Sequence, residues 1–237
     1  MASSSPRRRS VVVTGAFGSL GLAVARSFRE QGAAIALLAH TQPPAQLAAE
    51  FPAPHCILSG IDLTHAVSAG AAMETVRATL GAIDVLVNIA GGFRWQTLEQ
   101  GDVEGWDAMY AMNLKTAVVS TKAALPLLLG SPAGRIINVG AGAAARPAGS
   151  GMGPYTASKA GVHKLTESLA EELKERGITV NAVLPGIIDT PQNRADMPNA
   201  DFSRWVRPES IASVVVFLAS EQAAAVTGAL VPVYGRG

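Results

Sequence analysis

The sequence predicts a three-layer α/β/α fold, a doubly wound parallel sheet of about seven strands flanked by helices. Two observations carry this: seven short, nearly continuous apolar runs, and the longer helical stretches that separate them. Strands buried on both faces of a parallel sheet read as unbroken apolar runs, and strand–helix alternation places helices on both sides. A third observation concerns organisation. No linker, composition break or internal repeat divides the chain, so residues 10–237 are expected to form one domain.

The first strand, Val11–Thr14, runs into Thr14-Gly15-Ala16-Phe17-Gly18-Ser19-Leu20-Gly21, and the helical stretch Leu20–Gln31 follows. Glycines at such a turn permit close approach of backbone to a pyrophosphate, which then rests on the positive end of the helix. Placed between the first strand and first helix, this turn reads as a Rossmann-type dinucleotide site. No Gly-Lys-Ser or Gly-Lys-Thr follows, so it is not a P-loop. The second strand, Ala34–Ala39, leads to His40-Thr41. An acid at that strand end would hold the ribose hydroxyls of NAD. None stands there, and no arginine does either; the missing anion favours NADP(H) over NAD(H).

Cys56–Leu58 is the third strand, followed by Asp62-Leu63 and the helix Val67–Leu80. The fourth strand, Val85–Ile89, continues through Ala90-Gly91-Gly92 into Phe93-Arg94-Trp95, at the sheet edge where ligands bind in such folds. Phe93 or Trp95 there could stack on a planar substrate, with Arg94 near a carbonyl or carboxylate. The competing reading packs the aromatics beneath a neighbouring helix. A long helix, Trp106–Leu129, carries Asn113, and the fifth strand is Arg135–Val139. Helix Tyr155–Arg176, strand Thr179–Leu184, helix Pro208–Ser220 and strand Ala229–Val233 complete the alternation.

Tyr155 and Lys159 stand four residues apart, hence on one face of their helix. An ammonium beside a phenol would lower the phenol's pKa from its reference of about 10, making Tyr155 a proton donor or acceptor.

Composition narrows the partners. The formal net charge of +1 exerts no long-range pull on nucleic acid or an anionic membrane. No apolar run approaches the roughly 20 residues of a membrane span. The expected partner is therefore a small-molecule substrate. The one cysteine, Cys56, cannot form an internal disulfide, which suits a reducing compartment, and it reads as a small core residue. His40, His55, His65 and His163 are scattered without a Cys or acidic cluster, so no metal site is expected. Residues 1–9 are Ser/Arg-rich and read as a disordered tail. The apolar run Val11-Val12-Val13 after them is shorter than the roughly 7–15 residues of a secretion signal, and a cytoplasmic location is expected.

The glycine turn, Asn88-Ile89-Ala90-Gly91 and Tyr155-x-x-x-Lys159 occur in the order found in the short-chain dehydrogenase/reductase family, which the chain resembles from about Val11 to Val233. The resemblance implies an NAD(P)-dependent oxidoreductase. By it, Gly15, Gly18 and Gly21 lie beneath the pyrophosphate with Phe17, Ser19 and Leu20 between them, although family members usually carry glycine where Ser19 stands. Asp62 and Leu63 face the adenine ring, and His40 borders the adenosine. Asn88, Ala90 and Gly91 line the cofactor and steady the sheet. Asn113 holds a water in a proton relay, and Pro185, Gly186, Ile188 and Thr190 embrace the nicotinamide. Lys159 binds the nicotinamide ribose and depresses the Tyr155 pKa. The resemblance also implies a homodimer or homotetramer, and a substrate lid over about residues 189–207 with Trp205 as an anchor.

One departure stands out. The family's catalytic serine follows the fifth strand, where this chain reads Gly140-Ala141-Gly142-Ala143. Ser150 is the nearest later hydroxyl. The dihydropteridine reductase branch of the family dispenses with that serine, because a quinonoid ring is already electrophilic. The chain is similar to that branch in its serine-free loop, in Gly151-Met152-Gly153-Pro154-Tyr155, and in the segment from Asp189 through Trp205 to Glu209. A conjugated-ring substrate is therefore expected, with a 3-oxoacyl, sugar or secondary-alcohol reductase as the alternative. A dinucleotide-binding scaffold or redox sensor without turnover is the alternative of another class.

Overall fold

Seven parallel strands form one sheet in the computed structural model, which describes residues 8–236. In chain order the elements are β1 (Ser10–Thr14), α1 (Ser19–Glu30), β2 (Ala34–Leu38), α2 (Leu47–Glu50), β3 (Cys56–Leu58), α3 (Ala66–Leu80) and β4 (Val85–Asn88). Then come α4 (Val103–Met109), a π-helical turn (Tyr110–Lys115), α5 (Thr116–Leu128), β5 (Arg135–Val139), α6 (Gly153–Leu173) and β6 (Thr179–Pro185). The chain closes with α7 (Pro191–Asp196), α8 (Pro208–Ala219) and β7 (Leu230–Val233). The expected three-layer parallel fold is the one observed.

The spatial order is β3-β2-β1-β4-β5-β6-β7. The winding reverses between β1 and β4, which opens a crevice beyond their carboxyl ends. Register then aligns the strand ends that build the site: Thr14 pairs with Asn88, Asn88 with Asn138, Val139 with Val183, and Pro185 with Val233.

Strand side chains alternate between faces, so each strand feeds two cores. Val11, Val13, Ile35 and Leu37 pack against Phe28 of α1 and Val215 of α8. Val12, Ala36, Leu86 and Ile136 pack against Met73 of α3 and Leu128 of α5. Each of these side chains larger than alanine contributes about 1.5–3 kcal/mol by its burial.

Most boundaries fall within a residue or two of expectation. The expected single helix Trp106–Leu129 is instead three segments, because the turn carrying Asn113 is π-helical. Of the expected tail, residues 1–7 lie outside the described residues, whereas Arg9 already joins the sheet: its carbonyl accepts from the Ala34 amide at 2.8 Å. Among the described residues, no helix is long and apolar enough to cross a membrane.

Candidate active site

The site begins where β1 stops. Thr14 Oγ1 accepts the amides of Ile89 and Ala90 at 3.0 and 3.1 Å, stitching the ends of β1 and β4 together. Gly15 has φ +62°, and a Cβ there would stand 2.8 Å from the Ala90 nitrogen. A Cβ on Gly21 would meet the Gly15 carbonyl oxygen at 2.4 Å. Both glycines are therefore demanded by close backbone packing. Gly18 is different: it caps α1 without a side chain, and its nearest neighbour would lie 3.6 Å away. Its missing side chain leaves the helix amides open to an anion.

A cavity of about 650 Å³ opens over this turn. Gly15, Phe17 and Gly18 form one wall, His40 and Thr41 a second, and Asp62 and Leu63 a third. Ala90, Gly91, Met112 and Thr116 form the side toward α6. Ser19, Leu20 and Gly21 are not on the wall; Leu20 turns into the core. The Asp62 carboxylate accepts from the Thr64 amide and hydroxyl, at 2.8 and 2.6 Å, and pairs with His65 at 2.9 Å. These bonds pull its pKa down to about 2.

Asn88 serves the sheet from within. Its amide donates to Thr121 and Asn138, and its carbonyl accepts from Ser120 at 2.7 Å. Asn138 in turn donates to Thr166 of α6 at 2.8 Å. This buried chain of paired polar groups locks β4, α5, β5 and α6 in mutual register.

Asn113 occupies the π-helical turn, a device frequent at functional sites. Its Oδ1 accepts from the Gly92 amide at 2.9 Å, and its Nδ2 donates to Ser158 Oγ at 3.0 Å. The Ser158 hydroxyl in turn donates a hydrogen bond to the Tyr155 carbonyl at 2.7 Å. Three segments thus meet at one amide: the β4 exit, the π turn and α6. A Cβ on Gly91 would lie 2.5 Å from Asn113 Oδ1 and 3.5 Å from Lys159 Nζ, so Gly91 joins the cavity to the Tyr155–Lys159 pair.

Lys159 is fully enclosed, and its ammonium donates to the Val139 carbonyl at the end of β5, at 2.8 Å. Burial lowers its pKa to about 8. Tyr155 is largely buried, with Phe93 edge-on to its ring at 5.1 Å. Burial raises its pKa to about 12. The depressed phenol expected from the sequence is not what the chain's own fold produces: desolvation dominates, and the ammonium is directed to Val139. Tyr155 is held protonated.

His163, also on α6, accepts the Ala141 amide through Nε2 at 3.3 Å. Burial first, then the Lys159 charge, lowers its pKa and keeps it a neutral acceptor. It fixes the loop Gly140–Ala143. Ser150 is exposed, and its carbonyl accepts the Trp95 indole proton at 2.9 Å. Phe93 and Trp95 are both more than half exposed, so they are not packed beneath a helix. Arg94 is exposed beside them.

The Pro185-Gly186 exit of β6 is tied to β7, the Gly186 amide donating to Val233 at 3.1 Å. Ile188 pairs with Val206, and Thr190 caps α7 by accepting from the Asn193 amide. The expected lid segment is clasped on itself by Arg194, bidentate to Asp189 and stacked on Phe202. Trp205 is buried against Phe202 and lines a second cavity of about 760 Å³. Tyr234 lines that second cavity too, and neither cavity's wall includes Tyr155, Lys159 or Asn113, which lie behind Gly91.

A glycine cradle at a helix start, a sheet-edge crevice and an enclosed Tyr-Lys-Asn set define an NAD(P)-dependent oxidoreductase. The chain belongs to the short chain dehydrogenase family, whose model matches residues 9–201. It is 36% identical to a 3-oxoacyl-[acyl-carrier-protein] reductase of Vibrio harveyi over 232 residues, covering 94% of this chain and 95% of that protein. A short-chain dehydrogenase/reductase from Serratia marcescens superposes with a TM-score of 0.88 at 29% identity, covering 98% of each chain. A blue fluorescent protein from a metagenomic library, solved in complex with NADPH, superposes with a TM-score of 0.86 at 31% identity, covering 96% of each chain.

Proposed function

We propose that this chain reduces a small carbonyl compound using NADP(H), with Tyr155 as proton donor. The observation that carries this reading is a neutral phenol, held protonated by burial, one helical turn from the enclosed ammonium of Lys159. A bound nicotinamide dinucleotide supplies the hydride. Gly15, Phe17 and Gly18 hold its pyrophosphate, Asp62 and Leu63 the adenine, and Pro185, Gly186, Ile188 and Thr190 the nicotinamide. Tyr155 gives its proton to the substrate oxygen. Lys159 orients the nicotinamide ribose and replenishes that proton. The Asn113 side chain is committed to Gly92 and Ser158, and so joins the β4 exit to the helix that carries Tyr155.

NADP(H) is favoured because His40 and Thr41 border the cavity where an acid would face a 2′-phosphate. Asp62, an acid on the wall, is engaged with Thr64 and His65. The NADPH found in the metagenomic neighbour supports the same choice. A carbonyl substrate is supported by the 3-oxoacyl reductase relatives. A second reading, a conjugated ring as in dihydropteridine reductase, is supported by the hydroxyl-free loop Gly140–Ala143 and the exposed planes of Phe93 and Trp95. Exposed Val103, Trp106, Tyr110 and Val118 along α4, the π turn and α5 support self-association as a homodimer or homotetramer. Buried, solitary Cys56 supports a reducing, cytoplasmic location.

The test follows nicotinamide absorbance with purified protein, NADPH and NADH each against short 3-oxoacyl thioesters, simple ketones and quinonoid dihydropterin. Carbonyl turnover with NADPH, abolished in Tyr155→Phe, is expected. Pterin turnover alone would establish the second reading, and cofactor binding with no turnover would establish a scaffold.

A further inference from the structure

The second cavity, of about 760 Å³, lies where two distant stretches of chain clasp each other. The Arg236 amide donates to the Arg204 carbonyl, and Arg204 Nη2 donates to the Arg236 carbonyl, both at 3.2 Å. Between them Gly235 has φ +67°, and a Cβ there would meet the Arg204 carbonyl oxygen at 3.1 Å. The exit of β7 is thereby fixed against the end of segment 189–207, and the cavity walls are rigid on both sides.

Those walls are rich in donors. Arg207 and Arg236 line the cavity, and neither forms an ion pair with a described residue. The hydroxyls of Ser210 and Tyr234 line it too and bond to no described group. Trp205 is only 9% exposed, yet its indole N–H has no described acceptor. That N–H is not sealed in the core, so it opens on the space its ring lines. A further cation, Arg146, stacks 4.6 Å from the centroid of the Tyr234 ring. Among the described residues no carboxylate lines the cavity. The neighbouring acids are engaged elsewhere: Asp201 accepts from the Ser203 amide and hydroxyl, and Glu209 stabilises the charge of Arg26 on α1. In a chain of formal net charge +1, such a one-sided wall is a local excess of positive charge.

We propose that this cavity binds a small phosphomonoester, as a second ligand beside the dinucleotide. Two guanidiniums match phosphate oxygens in fork geometry, and the hydroxyls and indole N–H complete the donor set. The volume is that of an ordinary ligand pocket and exceeds what a bare phosphate fills. The organic body of the ligand therefore rests on the rings of Trp205 and Tyr234. Because the walls exclude Tyr155, Lys159 and Asn113, this ligand is not the reacting substrate. Bound there, it braces the end of segment 189–207 against the β7 exit.

The experiment titrates phenyl phosphate into the protein by calorimetry, with NADPH at saturation so that the dinucleotide cavity is filled. Saturable binding is expected, with phenol not binding and inorganic phosphate binding more weakly than phenyl phosphate. Arg207→Gln and Arg236→Gln should each raise Kd about tenfold or more, as loss of a charged hydrogen bond does. Tyr234→Phe should raise it by a smaller factor, and Arg176→Gln, on an exposed arginine elsewhere, should leave it unchanged. Both cavity arginines are exposed, so an unchanged Tm accompanies their loss of binding. The proposal is overturned by no saturable binding, by a wild-type Kd in both arginine variants, or by binding that saturating NADPH abolishes. Binding is read without turnover, so this result stands apart from the reductase reading.

Discussion

Lys159 donates to the carbonyl of Val139 at 2.8 Å, tying the helix that carries Tyr155 to the end of strand β5. An ammonium enclosed this fully, without a carboxylate partner among its hydrogen bonds, costs folding energy, and it makes Lys159 a functional liability to stability.

The sign of that cost can be read from pH. The folded pKa of Lys159, about 8, lies below its ordinary 10.5. Between these values the unfolded chain binds more protons than the folded one, so stability rises from pH 8 toward pH 10.5. For Tyr155 the folded pKa of about 12 lies above the ordinary 10, so its contribution is present below pH 10 and is lost as pH rises toward 12. Lys159→Met is expected to melt higher than wild type at pH 7 and to lack the alkaline gain, while remaining inactive. Thermal melts across pH 7–10 check this; a lower Tm for the variant would contradict it.

Tyr155 bears on direction. A phenol with a pKa near 12 keeps its proton throughout the neutral range, so reduction has its donor ready. The reverse oxidation needs the phenolate and should accelerate steadily as pH is raised. Tyr155→Phe should lose about 10²–10⁴ in kcat, the usual worth of a positioned acid. Initial rates in both directions from pH 6 to 10 provide the measurement.

Two glycines of one turn should fail differently. Gly21→Ala drives a methyl to 2.4 Å from the Gly15 carbonyl and should cost about 1–3 kcal/mol of stability. Gly18→Ala meets nothing closer than 3.6 Å and should leave the Tm unchanged. It should nevertheless weaken NADPH binding by about tenfold, or about 1.4 kcal/mol, because its methyl crowds the helix amides. Urea denaturation beside fluorescence titration separates the two effects.

Asn113→Ala strips partners from the half-buried Gly92 amide and the buried Ser158 hydroxyl, which should cost about 1–3 kcal/mol. Ser158→Ala removes one arm only and should cost less stability. If the amide also positions the relay, kcat should fall in Asn113→Ala while KM for the ketone changes little.

Much of this was legible in the residues alone. The apolar runs fixed the strands because a sheet covered on both faces demands them, and Val11–Val13 shows it by serving both cores. Gly15 and Gly21 announced the turn, since only glycine tolerates such contacts. The Tyr155–Lys159 spacing followed from helical geometry. These are local consequences of backbone sterics and periodicity, which a sequence encodes directly.

The rest depended on what the fold brings together across long separations. The π turn at Asn113 left no mark in the apolar pattern. Ser158 and His163 gained their roles from Asn113 and Ala141, on other segments. Lys159 turned to Val139 and Tyr155 was raised by burial, because charge energetics depend on enclosure, which no spacing states. Gly142 and Tyr234 lie at opposite ends of the final stretch of chain, and only the parallel order β5-β6-β7 sets one against the other. The sequence determined the strands, the cradle and the missing serine; the tertiary structure decided which distant groups meet, because proximity between distant residues exists only once the sheet is assembled.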